Sequence, residues 1–158
     1  MATRSTIALE FADGTVQQVY CHWDGYLSNN GRILQDYYSD PFKLRQLIDL
    51  GDISSLGPNI GEKHPFDNPY QYGTPEYFAE HEKRSDSTTF YGRDRGETGV
   101  KARRYANYDE YTRKLQGEEY NYILRNIDGR AVWFVSCYDT NDRFVPLEQA
   151  FKMQKDDA

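Results

Sequence analysis

Apolar and polar positions alternate from Thr6 to Phe11, with Ile7, Leu9 and Phe11 on one side and Thr6, Ala8 and Glu10 on the other. That period is the mark of a half-buried strand. Asp13-Gly14 then turns the chain into a second extended run, Val16 through Trp23, so the start predicts a β-hairpin. A second unit of the same kind runs from Tyr120 to Arg125, through Asp128-Gly129, into Ala131 to Cys137. The two units also end alike: Val19-Tyr20-Cys21-His22-Trp23-Asp24 is echoed by Phe134-Val135-Ser136-Cys137-Tyr138-Asp139. Duplication and independent choice of strand-forming residues both account for that echo. Together the hairpins predict an antiparallel sheet of four strands, with helices from the middle of the chain covering a face. The fold class expected is therefore α+β, with an antiparallel sheet built mainly from two hairpins, short helices and a long irregular middle region.

Helical spacing appears between the hairpins. Ile33, Leu34, Tyr37 and Tyr38 line one face of a short helix. Asp40-Pro41 supplies a cap and a first-turn proline for Phe42, Leu44, Leu47, Ile48 and Leu50, and Gly51 offers a stop. Asp52 to Gly57 reads as one further helical turn. Pro58, Gly61, Pro65, Pro69, Gly73 and Pro75 then interrupt regular structure. Short helices are expected over Glu76 to Lys83, over Tyr108 to Leu115, and from about Pro146 through Leu147, Ala150, Phe151 and Gln154.

The length of 158 residues suits a single compact domain, 1–158, with a recognition loop expected at 59–104. The longest apolar runs are four or five residues, far short of the roughly twenty that cross a bilayer, so no membrane association is expected. The start of the chain has no signal-peptide core, and the protein is expected to stay in the compartment where it is made. Cys21 and Cys137 allow one disulfide, but two buried, reduced thiols are the plainer reading. The formal charge of −6 argues against generic nucleic-acid binding, which draws on basic side chains. Residues 80–104 depart from that balance, with seven bases against five acids.

That basic segment carries the first candidate chemistry. Arg93-Asp94-Arg95-Gly96-Glu97 follows Tyr91 and precedes Arg103 and Arg104. Guanidinium groups hold phosphate or carboxylate through paired donors, and neighbouring acids orient them. Tyr91, Arg93, Asp94, Arg95, Glu97, Arg103 and Arg104 are thus the candidate ligand-binding set. A solvated loop or an internal salt-bridge network explains the same residues. Seven of the 14 tyrosines fall between Tyr70 and Tyr111, where they suit a recognition surface, a stacking site for a planar ligand, or a small irregular core.

A hydrolase would draw on the histidines. His22, His64 or His81, converging with Asp24 or another carboxylate, could activate water beside the arginine-rich loop, as in a small phosphodiesterase. Regular strand alternation instead puts Cys21 and Trp23 in the core and leaves His22 an ordinary polar contact. No short metal-ligand spacing links the histidines, so no metal and no cofactor are expected.

Thr3-Arg4-Ser5-Thr6-Ile7-Ala8, Val19 through Tyr26, and Tyr91-Gly92-Arg93-Asp94-Arg95-Gly96-Glu97 resemble a group of small accessory proteins of tailed bacteriophages. The resemblance implies expression in the host bacterial cytoplasm and a host-directed role. It carries no established catalytic residues. The leading expectation is a noncatalytic binder that interferes with host defence by covering a host protein or capturing a small anionic signal. The alternatives are a hydrolase with a His/Asp centre and a virion-associated structural protein. Hairpin edges and tyrosines also suit a homodimer.

Overall fold

Both Asp-Gly turns form as the pattern predicts. In the first, β1 (Ser5–Glu10) leads into β2 (Val16–Cys21), and the Asp13 carboxylate accepts from the Thr15 N–H at 3.0 Å and the Thr15 hydroxyl at 2.7 Å. The second hairpin pairs Tyr120–Ile127 with Arg130–Cys137, and both of its turn residues have positive φ, 52° at Asp128 and 84° at Gly129. Such primed turns match the right-handed twist of the strands. The computed structural model describes residues 2–154.

The sheet built on these hairpins is mixed and mainly antiparallel, and it is larger than four strands. In chain order the further strands are β3 (Ile53–Ser55), β4 (Thr89–Phe90) and β5 (Arg103–Tyr105), then the second hairpin as β6 and β7, then β8 (Val145–Pro146). Their order is β4-β3-β2-β1-β6-β7-β8, with β5 also on β2. The hairpins meet through β1 and β6, which run parallel with Ile7 opposite Tyr122 and Leu9 opposite Leu124. The expected α+β fold with a mainly antiparallel sheet built on two hairpins is thus present, with parallel pairing where the hairpins join. A long connection through the middle of the chain joins the hairpins, and such a crossover permits parallel pairing where a tight turn does not.

The helices are α1 (Arg32–Tyr37), α2 (Pro41–Asp49), α3 (Pro75–Arg84), α4 (Tyr91–Arg95), α5 (Tyr108–Arg113) and α6 (Leu147–Met153). Asp40 caps α2 by accepting from the Phe42 N–H at 2.9 Å, and α2 buries Leu44, Leu47 and Ile48. Phe42 stays outside this packing, 81% exposed. The helical turn expected after Gly51 is instead β3. Gly51 takes φ +86° against the Val100 carbonyl, and the Asp52 carboxylate accepts from the Tyr20 N–H at 2.9 Å, which lays Ile53 beside Cys21 of β2.

Both sheet faces are covered. Ile7, Leu9, Val19, Tyr122, Leu124 and Val135 pack against Leu34, Leu44, Leu47, Ile48, Leu147 and Ala150 in the main core. Ala8, Val16 and Ile123 pack against Tyr105 and Tyr111 in a smaller one, with Tyr108, Phe134 and Phe144 at its margin. Several of the clustered tyrosines are therefore core residues. Helix α3 contrasts with the others: none of its ten residues is buried. Among the described residues no helix is long and apolar enough to cross a membrane.

Candidate functional site

Next to the β4 edge, two irregular segments are zipped together by their backbones. Asn59 donates to the Asp86 carbonyl at 2.9 Å, and Thr88 donates back to the Asn59 carbonyl at 2.8 Å. The Thr88 hydroxyl, fully buried, accepts from the Gly57 N–H at 3.0 Å. Only glycine fits at 57, because a Cβ there would stand 2.7 Å from the Asp86 carbonyl oxygen.

Arg93 locks this zipper. Its Nη1 donates to the Ile60 and Gly61 carbonyls at 3.0 Å each, and its Nη2 donates to the Thr88 carbonyl at 2.9 Å and Asp94 Oδ2 at 3.2 Å. Nε completes the set on Asp94 Oδ1 at 3.0 Å. A guanidinium has five N–H donors, so none is left for a ligand. Asp94 in turn accepts from the backbone N–H of Phe90 at 2.8 Å and of His64 at 3.0 Å. Burial pushes the Asp94 carboxyl up, but the hydrogen bonds from Arg93, Phe90 and His64, with the Arg93 charge, outweigh it and hold the group below the usual carboxylate range.

On the far side of this lock lies a cleft of about 340 Å³, lined by Lys63, His64, Lys83, Arg84, Ser87 and the open backbone of Gly61, with Glu62 and Glu80 also on its walls. Arg84 ends α3, and its Nε stands 3.5 Å from Glu80 Oε2. Its Nη1 donates to the Pro65 carbonyl and lies 3.0 Å from His64 Nδ1. Its Nη2 is buried without a hydrogen-bond partner among the described residues. No hydrogen bond or ion pair engages the side chains of Lys63, Lys83 or Ser87 among those residues. A Cβ at Gly61, φ +72°, would stand 2.6 Å from the Ser87 hydroxyl, so glycine keeps this part of the cleft open.

The candidate residues read from the sequence divide among several places. Tyr91 stacks on Phe66 at 5.6 Å, and Arg95 lies 5.0 Å above the same ring while pairing with Glu97 at 3.3 Å. Arg103 pairs with Asp52 at 3.2 Å. Arg104 is exposed, in register with Gln17 of β2. None of these seven lines the cleft, and Arg93 and Asp94 act instead as its frame.

The histidines also separate. His22 Nδ1 is 2.7 Å from the Tyr20 hydroxyl and its ring meets Trp23 edge-on at 4.8 Å. Asp24 sits exposed in a left-handed turn, φ 57°. His81 stacks on Tyr77 at 6.3 Å. His64 reaches the cleft, but its ring nitrogens face Pro65, Arg84, Thr88 and Thr89 at hydrogen-bond range, and Nε2 is 3.7 Å from Asp94. The His/carboxylate contact the structure holds is thus His64 with Asp94, whose oxygens are already engaged by Arg93 and by the backbone N–H groups of Phe90 and His64. Among the described residues no group of three or more His, Cys, Asp or Glu is placed to hold a metal ion.

Lys63, Lys83, Arg84 and Ser87 were missed as site residues. Their sequence signals were membership of the irregular 59–104 stretch and, for Lys83 and Arg84, of the basic segment 80–104; their convergence was not legible, because segments some twenty residues apart must meet before the cleft exists. A slightly larger cleft, about 350 Å³, lies at the hairpin-turn end among Leu9, Phe11, Phe42, Arg45 and Leu124. It is apolar, and Arg125 on its wall is already committed to Glu10 at 3.2 Å and to the Tyr108 ring at 3.6 Å. Fold and site together define an α+β protein with a cation-lined cleft beside a mixed sheet. Comparison with protein-family models, curated proteins and solved structures finds no match to this chain.

Proposed function

We propose that the protein is a noncatalytic binder of a small anionic ligand, held between Gly61 and Arg84. The observation that carries this reading is the convergence on one open cleft of the Arg84 guanidinium, whose Nη2 has no hydrogen-bond partner among the described residues, with the two lysines Lys63 and Lys83. The Ser87 hydroxyl adds a further donor to the same space. Of the three histidines His64 alone lines the cleft, and the carboxylate it faces, Asp94, is taken up by Arg93 and two backbone N–H groups, which favours binding over a His/Asp hydrolase. The resemblance to tailed-phage accessory proteins supplies the setting: interference with a host defence by capture of an anionic signal.

Isothermal titration with pyrophosphate tests the reading. Saturable binding that weakens with added salt is expected, and Lys83→Gln, an exposed position, should lower affinity about tenfold. Pyrophosphate should be recovered intact after long incubation. Absence of saturable binding, or full affinity in Lys83→Gln, rejects the cleft, and release of orthophosphate rejects the noncatalytic assignment.

A further inference from the structure

The face that α3 turns toward the 61–70 segment meets it through polar contacts, Arg84 on Pro65 and His64 and the Tyr77 carbonyl on Asn68, and lines a groove between them. Glu76, Ala79, Glu80, Lys83 and Arg84 follow the spacing that puts residues on one side of a helix. Four of them, with Tyr70, line a second, shallower cleft of about 230 Å³, which shares Glu80 and Lys83 with the cation-lined one. The two clefts are neighbouring sections of one groove along α3. From Glu76 to Lys83 the helical rise gives a span of about 10 Å.

The opposite wall is tied to the helix by Asn68, whose Nδ2 donates to the Tyr77 carbonyl at 3.0 Å and whose Oδ1 accepts from the Tyr70 N–H at 3.1 Å. That pair of bonds fixes Tyr70, whose ring is half exposed, across from Glu76 and Ala79. The chemistry changes along the groove: cations and a hydroxyl at one end, Glu80 on the wall the two clefts share with its carboxylate 3.5 Å from Arg84 Nε, and an aromatic ring with the acceptor-only Glu76 at the other.

Resting on the anion-binding reading above, we infer that the groove takes a nucleoside 5′-phosphate whose base carries an exocyclic amine. The phosphate lies among Lys63, Lys83, Arg84 and Ser87. Glu80 accepts from the sugar hydroxyls, the role acidic residues take toward ribose in dinucleotide sites. The base stacks on Tyr70 and donates its amine to Glu76, a contact sequence-tolerant stacking alone does not supply.

Titration with adenosine 5′-monophosphate, inosine 5′-monophosphate and ribose 5-phosphate tests the assignment. The adenine nucleotide should bind about tenfold tighter than ribose 5-phosphate through stacking. It should also outbind the inosine nucleotide, which presents a carbonyl where adenine has the amine. Tyr70→Ala should reduce adenine nucleotide affinity to that of ribose 5-phosphate, and Glu76→Gln should narrow the gap between the two nucleotides. Equal affinity for adenosine monophosphate and ribose 5-phosphate overturns the nucleotide inference while leaving an anion site. Failure of all three compounds and of pyrophosphate to bind removes both readings.

Discussion

Arg93 illustrates how a residue type that signals ligand chemistry can serve the protein's own backbone. Its side chain is 12% exposed and reaches carbonyls at 60, 61 and 88 together with the buried carboxylate of Asp94. Removing it strands that carboxylate, so Arg93→Ala should cost about 3–5 kcal/mol in urea denaturation. Arg93→Lys should recover little, because one ammonium cannot span four acceptors. The Arg93 and Asp94 cluster was legible as chemistry from the sequence. Its inward direction was not, since most of its acceptors are main-chain carbonyls that any residue supplies. The same network sets a pH dependence. The Asp94 carboxyl is held below the usual range, so the folded state binds its proton less readily than the unfolded chain. Its stabilisation is fully present above the unfolded value of about 3.9 and is lost as pH falls through the lower folded value. Urea midpoints measured downward from pH 5 should fall for the native chain and fall less steeply for Asp94→Asn.

At the scale of elements, what the sequence disclosed was local. Asp13-Gly14, Asp128-Gly129 and the Asp40-Pro41 cap each act within a few residues, and each formed as expected. The misread stretch was Asp52 to Gly57, where β3 forms because Asp52 bonds the Tyr20 N–H, a contact 32 positions away. Gly51 makes that departure from α2 sharp. Its φ of +86° resembles the +84° of Gly129, but a Cβ at Gly51 would stand 2.4 Å from the Val100 carbonyl, whereas one at Gly129 would meet nothing within 4 Å. Gly129→Ala should therefore carry only the left-handed cost of about 1–2 kcal/mol. Gly51→Ala adds a clash with backbone that a rotamer change does not relieve, and should lose about 1–3 kcal/mol more. Thermal or urea unfolding of the two variants separates conformational strain from collision; equal losses would mean that the Val100 segment gives way freely.

For the whole molecule, the parallel junction of the hairpins decides how the cysteines behave. Either hairpin's alternation is compatible with parallel or antiparallel docking, which is why the sequence left the junction open. In the observed register Cys21 faces Ser5, Ser5 faces Tyr120 and Tyr120 faces Cys137, one row across four strands. Three strand spacings separate the thiols by about 14 Å, well beyond disulfide reach. Both are buried and free. Burial pushes the Cys21 thiol up to about 11, and burial raises Cys137 as well. Raised values favour the protonated form in the fold, so this stabilisation is complete below the unfolded thiol value, about 8.5, and is lost as pH rises toward 11. Alkylation at pH 8 should accordingly be slow at both thiols and accelerate together with the global urea transition, since the row belongs to the centre of the sheet. Early labelling of Cys137 with Cys21 still protected would instead show that the β7 side opens by itself, separating the second hairpin from the first as a unit of lower stability.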